Sequence, residues 1–269
     1  MQQGSQEEIR ESNDQFIAIS RLSVRCTATP EIAELPGLVA TYASSPLAML
    51  NNVFLDGPVA DRADLERRTA RAVAFAAERR VPWLYNLCRD FLPDGADEVL
   101  AGFGLRREMQ LAGMVADALA PPLRPLPALD LRRIDDEATA HLAGAINCLS
   151  YDLPVELGRD TVCRLAFYDG ERHGYLGYID DEAVTTATTT PLDGRLHVAL
   201  VATLPGQRRR GFAEEVTRQS LAAAARASGL SRTVLHATEV GLSMYEQMGY
   251  RGVTSFACYM MPEDGGGHA

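Results

Sequence analysis

"LVATLPGQRRRGFAEEVTRQSLAAAA", Leu200 to Ala225, joins an apolar run to an alanine-rich one through a glycine and three consecutive arginines. The upstream "RLHVALVATL" is aliphatic and β-branched and reads as a strand. After Gly211, the apolar residues Phe212, Val216, Ala223 and Ala227 recur at roughly helical spacing as far as Ser228, and Gly229 is placed to end that helix. A strand running through a loop into a helix is a ready anion site. The first turn of a helix leaves about four N–H groups unpaired and carries roughly half a positive charge. Loop N–H groups can converge on a phosphate if it comes close, which Gly211 permits and Ala213, one turn in, hinders little. Arg208, Arg209 and Arg210 add charge and bidentate donors.

The same grammar extends on both sides. "TVCRLAFYDG" begins as a helix and gives way to a turn. "HGYLGYID" and "AVTTATTTPL" flank Asp180, Asp181 and Glu182 as a hairpin. Beyond the central helix come a strand, "RTVLHAT", a short helix ending in "YEQMGY", and a last strand, "VTSFACYMM". The order predicts a mixed α/β (α+β) sheet with the arginine junction at its centre. "ALAPPLRPLPALD", Ala118 to Asp130, holds four prolines without periodicity and predicts a stiff extended linker. Before it, "LAMLNNVFL" and "VPWLYNLC" read as strands around a helix from about Asp61 to Arg80. "EVLAGFGLRREMQLAGMVA" then echoes "SMYEQMGYRGVTSFACYMM" as helix end, glycine, arginine and strand. The expected units are a flexible leader over 1–18, a first domain over 19–118, the linker over 119–129, a second domain over 130–262 and a flexible tail over 263–269.

Composition narrows the partners. A chain of 269 residues has room for two ordinary domains. Its formal net charge of -10 argues against nucleic acid and fits a cationic small substrate better. Every one of the 26 basic residues is arginine. A GC-rich coding bias accounts for that, or a benefit to an amine-modifying enzyme that lacks its own lysines. The five cysteines are scattered, with no metal-ligand spacing, which predicts reduced thiols in a cytoplasmic protein and no metal site. No apolar run approaches the roughly 20 residues of a membrane span, so no membrane partner is expected.

Arg208-Arg209-Arg210-Gly211-Phe212-Ala213 resembles the Q/R-x-x-G-x-G/A signature of the GNAT (GCN5-related N-acetyltransferase) superfamily, and "ATEVGLSMYEQMGY" resembles its later A-x-x-L-Y-x-x-x-G-F segment. The resemblance covers about the last 130 residues. It implies that the loop grips the pyrophosphate of acetyl-CoA, the cosubstrate. Val201, Ala202 and Thr203 would offer backbone groups to the pantetheine arm, and a splayed strand pair there would admit it. Tyr245 stands where the family places its general acid, and Thr238 stands where asparagine is frequent. The first half resembles a degenerate GNAT domain: it keeps the trailing echo but has no R/Q-x-x-G-x-G/A stretch, so the implied fold is two tandem GNAT-like domains with the acetyl-CoA site in the second. The layout resembles mycothiol-synthase-like enzymes, with the first half shaping a substrate cleft or a homodimer face.

The implied reaction is N-acetylation of a primary amine on a small molecule or peptide. An alkyl ammonium with a pKa of roughly 10.4 must lose a proton before it attacks, and the departing thiolate must gain one. Tyr245 is the acid. For the base, His197 leads because strand alternation puts it on the face of Ala199, Val201 and Thr203. Glu182, Asp152 and Glu239 are alternatives, His236 a weaker one, and Thr233 stands where some members carry glutamate. Asp152, in "SYDLP", is also a candidate acceptor contact. Two other functions remain: a non-catalytic acyl-CoA-binding protein, and a toxin-like enzyme acting on aminoacyl-tRNA, which the overall acidity disfavours.

Overall fold

The computed structural model describes residues 4–262; the expected tail over 263–269 lies outside them. In chain order the elements are α1 (Gln6–Val24), β1 (Glu31–Leu35), β2 (Leu38–Tyr42), β3 (Asn51–Leu55), α2 (Arg62–Ala77), β4 (Leu84–Cys88), α3 (Ala96–Gly102) and β5 (Arg106–Ala116). Residues 119–129 carry neither helix nor strand. There follow β6 (Asp130–Arg133), α4 (Glu137–Ser150), the single turn α5 (Val155–Gly158), β7 (His173–Ile179), β8 (Glu182–Leu192), β9 (Arg195–Thr203), α6 (Phe212–Ser228), β10 (Thr233–Thr238), α7 (Glu239–Gln247) and β11 (Arg251–Met260).

Local chemistry explains most boundaries. Asp180 and Asp181 have φ of 49° and 63°, the left-handed pair that a two-residue hairpin turn between β7 and β8 requires. The alanine-rich α6 stops at Gly229, whose φ of 74° places it in the left-handed cap.

All strands join one sheet in the order β1-β2-β3-β4-β11-β5-β10-β9-β8-β7-β6. The order reads as a two-fold pattern. In each half a parallel pair, β3 with β4 and β9 with β10, is bridged by a long helix, α2 or α6. Each half then passes through a short helix and a left-handed glycine, Gly104 or Gly249, into a long final strand. The sequence echo marks this shared ending. The two final strands are exchanged: β11 pairs with β4 of the first half, β5 with β10 of the second, and β5 and β11 pair with each other. The proline linker therefore does not divide the sheet.

Two expectations fail. Residues 6–18 are not a flexible leader but most of α1, started by a capping box in which Ser5 and Glu8 bond each other's backbone N–H. The helix is tied down by polar groups as much as by apolar ones. Asn13 donates to the carbonyl of Leu55 at 3.0 Å in the first half, and Gln15 to that of Leu192 at 3.0 Å in the second. Glu11 pairs with Arg195 and Arg232, and Glu8 with Arg232 and Arg251. Its buried face mixes Ile9 and Ile17 with Ser12, Asn13 and Gln15, so it shows no clear apolar stripe. The second correction concerns "TVCRLAFYDG", which is turns and one 3-10 turn; the helix of that region is α4, earlier in the chain.

Candidate active site

The junction of β9 and α6 folds as strand, loop and helix. The parallel pairing of β9 with β10 ends at Val198 and Leu235, although β9 runs on to Thr203 and β10 to Thr238. Beyond that point the facing edges of the two strands are unpaired with each other, and the sheet is split. A bulge helps to open it. Thr188 faces Ala199 and Thr186 faces Ala202, so Leu200 and Val201 together oppose Ala187, with Leu200 held at φ of 52°. Such an unfavourable conformation in a non-glycine residue is typical of a binding site.

A cleft of about 1130 Å³ occupies this split. It exceeds the roughly 300–1,000 Å³ usual for one drug-sized ligand. Val201, Ala202, Thr203, Thr238 and Tyr245 line it, as do Arg208, Arg209, Gly211, Phe212 and Ala213. Gly211 takes φ of 84° as the N-cap of α6 and offers no side-chain cap, so the N–H groups of the first turn face the loop unsatisfied by one. The equivalent helix of the first half is closed: Asp61 caps α2, its carboxylate accepting from the Asp64 N–H at 2.7 Å. A carboxylate there fills the position an anion would take. The pairing of β3 with β4 also continues to Phe54 and Asn86, near the end of both strands. The first half therefore has neither the open helix end nor the split.

The three arginines divide the work. Arg208 spans the loop, donating to the carbonyls of Thr203 at 3.2 Å and Ser150 at 2.7 Å. Arg210 turns away from the cleft; it bonds Gln207 and lies over the Phe212 ring at 4.7 Å, so it contributes charge rather than contact. Arg209, at φ of 62°, is exposed and makes no ion pair among the described residues. Sequence reasoning missed a fourth. Arg124, the arginine within the proline linker, lines the cleft with a guanidinium nitrogen 3.6 Å from where a Cβ on Gly211 would stand.

Tyr245 is buried in an apolar cluster with Leu196, Val198, Leu235 and Ala237. Its hydroxyl has no hydrogen-bond partner among the described residues, and burial pushes the phenol well above its usual range. It stays a protonated phenol on the cleft wall.

His197 does not join it. The Leu196 and Val198 side chains point to the face of the sheet covered by α6 and α7, so His197 points to the other, beneath α1. Its Nδ1 donates to Gln15 Oε1 at 3.3 Å, and its ring stacks on His236 at 5.5 Å. Complete burial, and His236 next to it, hold the imidazole well below its normal pKa. The bulge at Leu200 also breaks the alternation that put His197 in register with Val201 and Thr203. His197 is a structural residue. His236 reaches the cleft wall, but its Nε2 donates to the carbonyl of Ser12 at 3.0 Å and burial lowers its pKa to about 3, too weak to deprotonate an ammonium. Thr233 bonds the Tyr250 hydroxyl at 2.7 Å. Asp152, exposed at φ of 56°, Glu182 and Glu239 all lie off the cleft wall, whereas Tyr151 and Leu153 line it.

The remaining wall comes from parts of the chain that carried no motif. Leu47 and Met49, before β3, bring the first half to the cleft, and Asn147, Cys148 and Val162 bring α4 and the turns after α5. Among the described residues no cluster of acidic, histidine or cysteine side chains could hold a metal ion, and no helix is long and apolar enough to cross a membrane.

Residues 141–250 match the model of the acetyltransferase (GNAT) family. Solved structures share the fold over nearly the whole chain. A GCN5-related N-acetyltransferase from Kribbella flavida is 21% identical, with 94% of this chain and 95% of that one covered and a TM-score of 0.68. A conserved protein of unknown function from Staphylococcus epidermidis is 11% identical over 90% and 98% of the two chains, at 0.63. A tandem GNAT protein from the clavulanic acid biosynthesis pathway is 11% identical over 94% and 96%, at 0.50. No curated protein matches the chain in sequence. At these identities the structural likeness establishes architecture, two GNAT-like halves in tandem.

Proposed function

We propose, from the premise that residues 141–250 are a domain of the acetyltransferase (GNAT) family, that the chain transfers an acetyl group from acetyl-CoA directly to a primary amine. One observation carries this reading: the helix end left uncapped at Gly211 opens onto the split between β9 and β10, whereas Asp61 closes its counterpart. The residues present suit the cosubstrate. The first turn of α6, Arg209 and Arg124 would hold the pyrophosphate, with Arg208 fixing the loop against Thr203 and Ser150. The free edge of Val201, Ala202 and Thr203 would hold the pantetheine arm, and Thr238 flanks it at the start of α7.

Acetyl-CoA supplies the activated thioester. The protein's part is to orient that group, exclude water and supply a proton where the sulfur departs. The Tyr245 hydroxyl is the donor for that sulfur, because burial keeps it protonated and no protein group competes for it. His197 takes no part. The amine must arrive able to shed its own proton, since among the described residues no lining side chain is a free carboxylate.

Calorimetric titration with acetyl-CoA, followed by thiol release with amines, tests the reading. One binding site and amine-dependent thiol release are expected. Binding with no release across a broad amine panel would favour a non-catalytic acyl-CoA-binding role, and no binding would end the proposal.

A further inference from the structure

The charge of the cleft is opposite to that of the protein. The chain carries -10 overall, yet the described residues lining the cleft include three arginines, Arg124, Arg208 and Arg209, and one carboxylate, Glu214. Glu214 is already committed, paired with Arg218 at 2.8 Å. With Arg124 and Arg209 taken by the pyrophosphate and Arg208 by the loop, the described lining offers an acceptor bearing several ammonium groups no free carboxylate as a counter-ion.

The wall that the cosubstrate does not need is apolar. Leu47, Met49, Tyr151, Leu153 and Val162 belong neither to the strand edge nor to the arginine loop. Leu47 and Leu153 pack with Leu200, the bulge residue, in one cluster drawn from both halves. Three of these or neighbouring side chains stay unusually open at the mouth: Met49 is 40% exposed, Tyr151 47% and Val240 81%. Large apolar groups left open around a polar-rimmed cleft mark a surface that a ligand covers.

Building on the acetyl-transfer reading, we infer that the acceptor is a small monoamine on an apolar body, and that polyamines and aminoglycosides are excluded. The amine enters between Met49 and Tyr151 with its apolar part against Leu47, Leu153 and Val162. In the step itself the amine nitrogen bonds to the acetyl carbon, the carbon–sulfur bond breaks, the Tyr245 proton goes to sulfur, the proton shed by the amine leaves to water, and water returns a proton to the Tyr245 phenolate.

The test is initial-rate thiol release at saturating acetyl-CoA with 2-phenylethylamine, spermidine and kanamycin, on protein whose acetyl-CoA binding has been titrated first. We expect kcat/KM for 2-phenylethylamine at least tenfold above either polycation. Met49→Glu, at an exposed position, should raise KM for 2-phenylethylamine at least fivefold, narrow its lead over spermidine and leave the acetyl-CoA Kd unchanged. Spermidine or kanamycin equalling the apolar amine overturns the inference, as does Met49→Glu with an unaltered KM. Acetyl-CoA binding with none of the three amines acetylated overturns it and leaves the cosubstrate site standing. Absence of acetyl-CoA binding overturns both.

Discussion

Replacing Gly211 by aspartate should put a carboxylate at the open end of α6, where α2 already carries Asp61. Two effects must be separated, backbone strain and charge. Gly211 has φ of 84°, so any side chain costs about 1–2 kcal/mol of folding stability. Space is not the obstacle: the new Cβ would stand 3.4 Å from the Pro127 ring and 3.6 Å from the Arg124 guanidinium, ordinary contact distances. Gly211→Ala therefore carries the strain without the charge. Gly211→Asp adds a carboxylate beside the first turn, near Arg124, although the left-handed backbone there differs from the extended one at Asp61. Like charges about 4 Å apart repel by about 1 kcal/mol in bulk water and about 4 kcal/mol near a protein surface. Acetyl-CoA affinity should thus fall tenfold to a hundredfold in Gly211→Asp relative to Gly211→Ala, about 1.4–2.8 kcal/mol. Calorimetry gives both constants, and thermal melts should show the two variants similarly destabilised. If the aspartate variant binds acetyl-CoA within threefold of the alanine variant, the open helix end is not an anion site.

Arg209→Ala and Arg124→Ala should each weaken acetyl-CoA binding severalfold with little change in Tm, whereas Arg208→Ala should lower both, because Arg208 braces the loop against two carbonyls; equal Tm losses for all three would contradict this division. Tyr245→Phe should keep the acetyl-CoA Kd and lower kcat at least tenfold, read by thiol release, and an unchanged kcat would remove the tyrosine from the reaction. Residues 119–262 expressed alone should fail to melt cooperatively or bind acetyl-CoA, since β5 lies between β10 and β11; a well-folded fragment would show the strand exchange to be dispensable. The Arg251 hydrogen bond lowers the Glu8 pKa from 4.5 to about 2. A depressed carboxylate stabilises the fold fully above its unfolded pKa and loses that contribution as pH falls through the folded one. Docking of α1 should therefore weaken between about pH 4.5 and pH 2, seen as faster amide exchange over Gln6–Val24, and Glu8→Gln should flatten the response.

Along the chain, legibility followed locality. The strand, loop and helix around Gly211, the Asp180–Asp181 turn and the repeated endings at Gly104 and Gly249 could be read because each rests on conformations within a few residues. The capping box at Ser5 and Glu8 was there to be read too. The body of α1 is not local in this way: it buries Ser12, Asn13 and Gln15, and the carbonyls that Asn13 and Gln15 bond, Leu55 and Leu192, lie far along the chain.

Sequence by itself determined the uncapped helix end in the second half and the capped one in the first, since a glycine or an aspartate at a helix start acts on the turn that follows it. Tertiary structure alone decided the rest of the cleft. One bulge at Leu200 cancelled the alternation that had nominated His197, and parity along a strand holds only while the ladder is regular. The exchange of β5 and β11, the approach of Arg124 to Gly211, and the presence of Met49 and Tyr151 on one cleft wall join residues remote in sequence. Such contacts are selected by the packing of the whole sheet, and the cleft's positive lining within an acidic chain is their consequence.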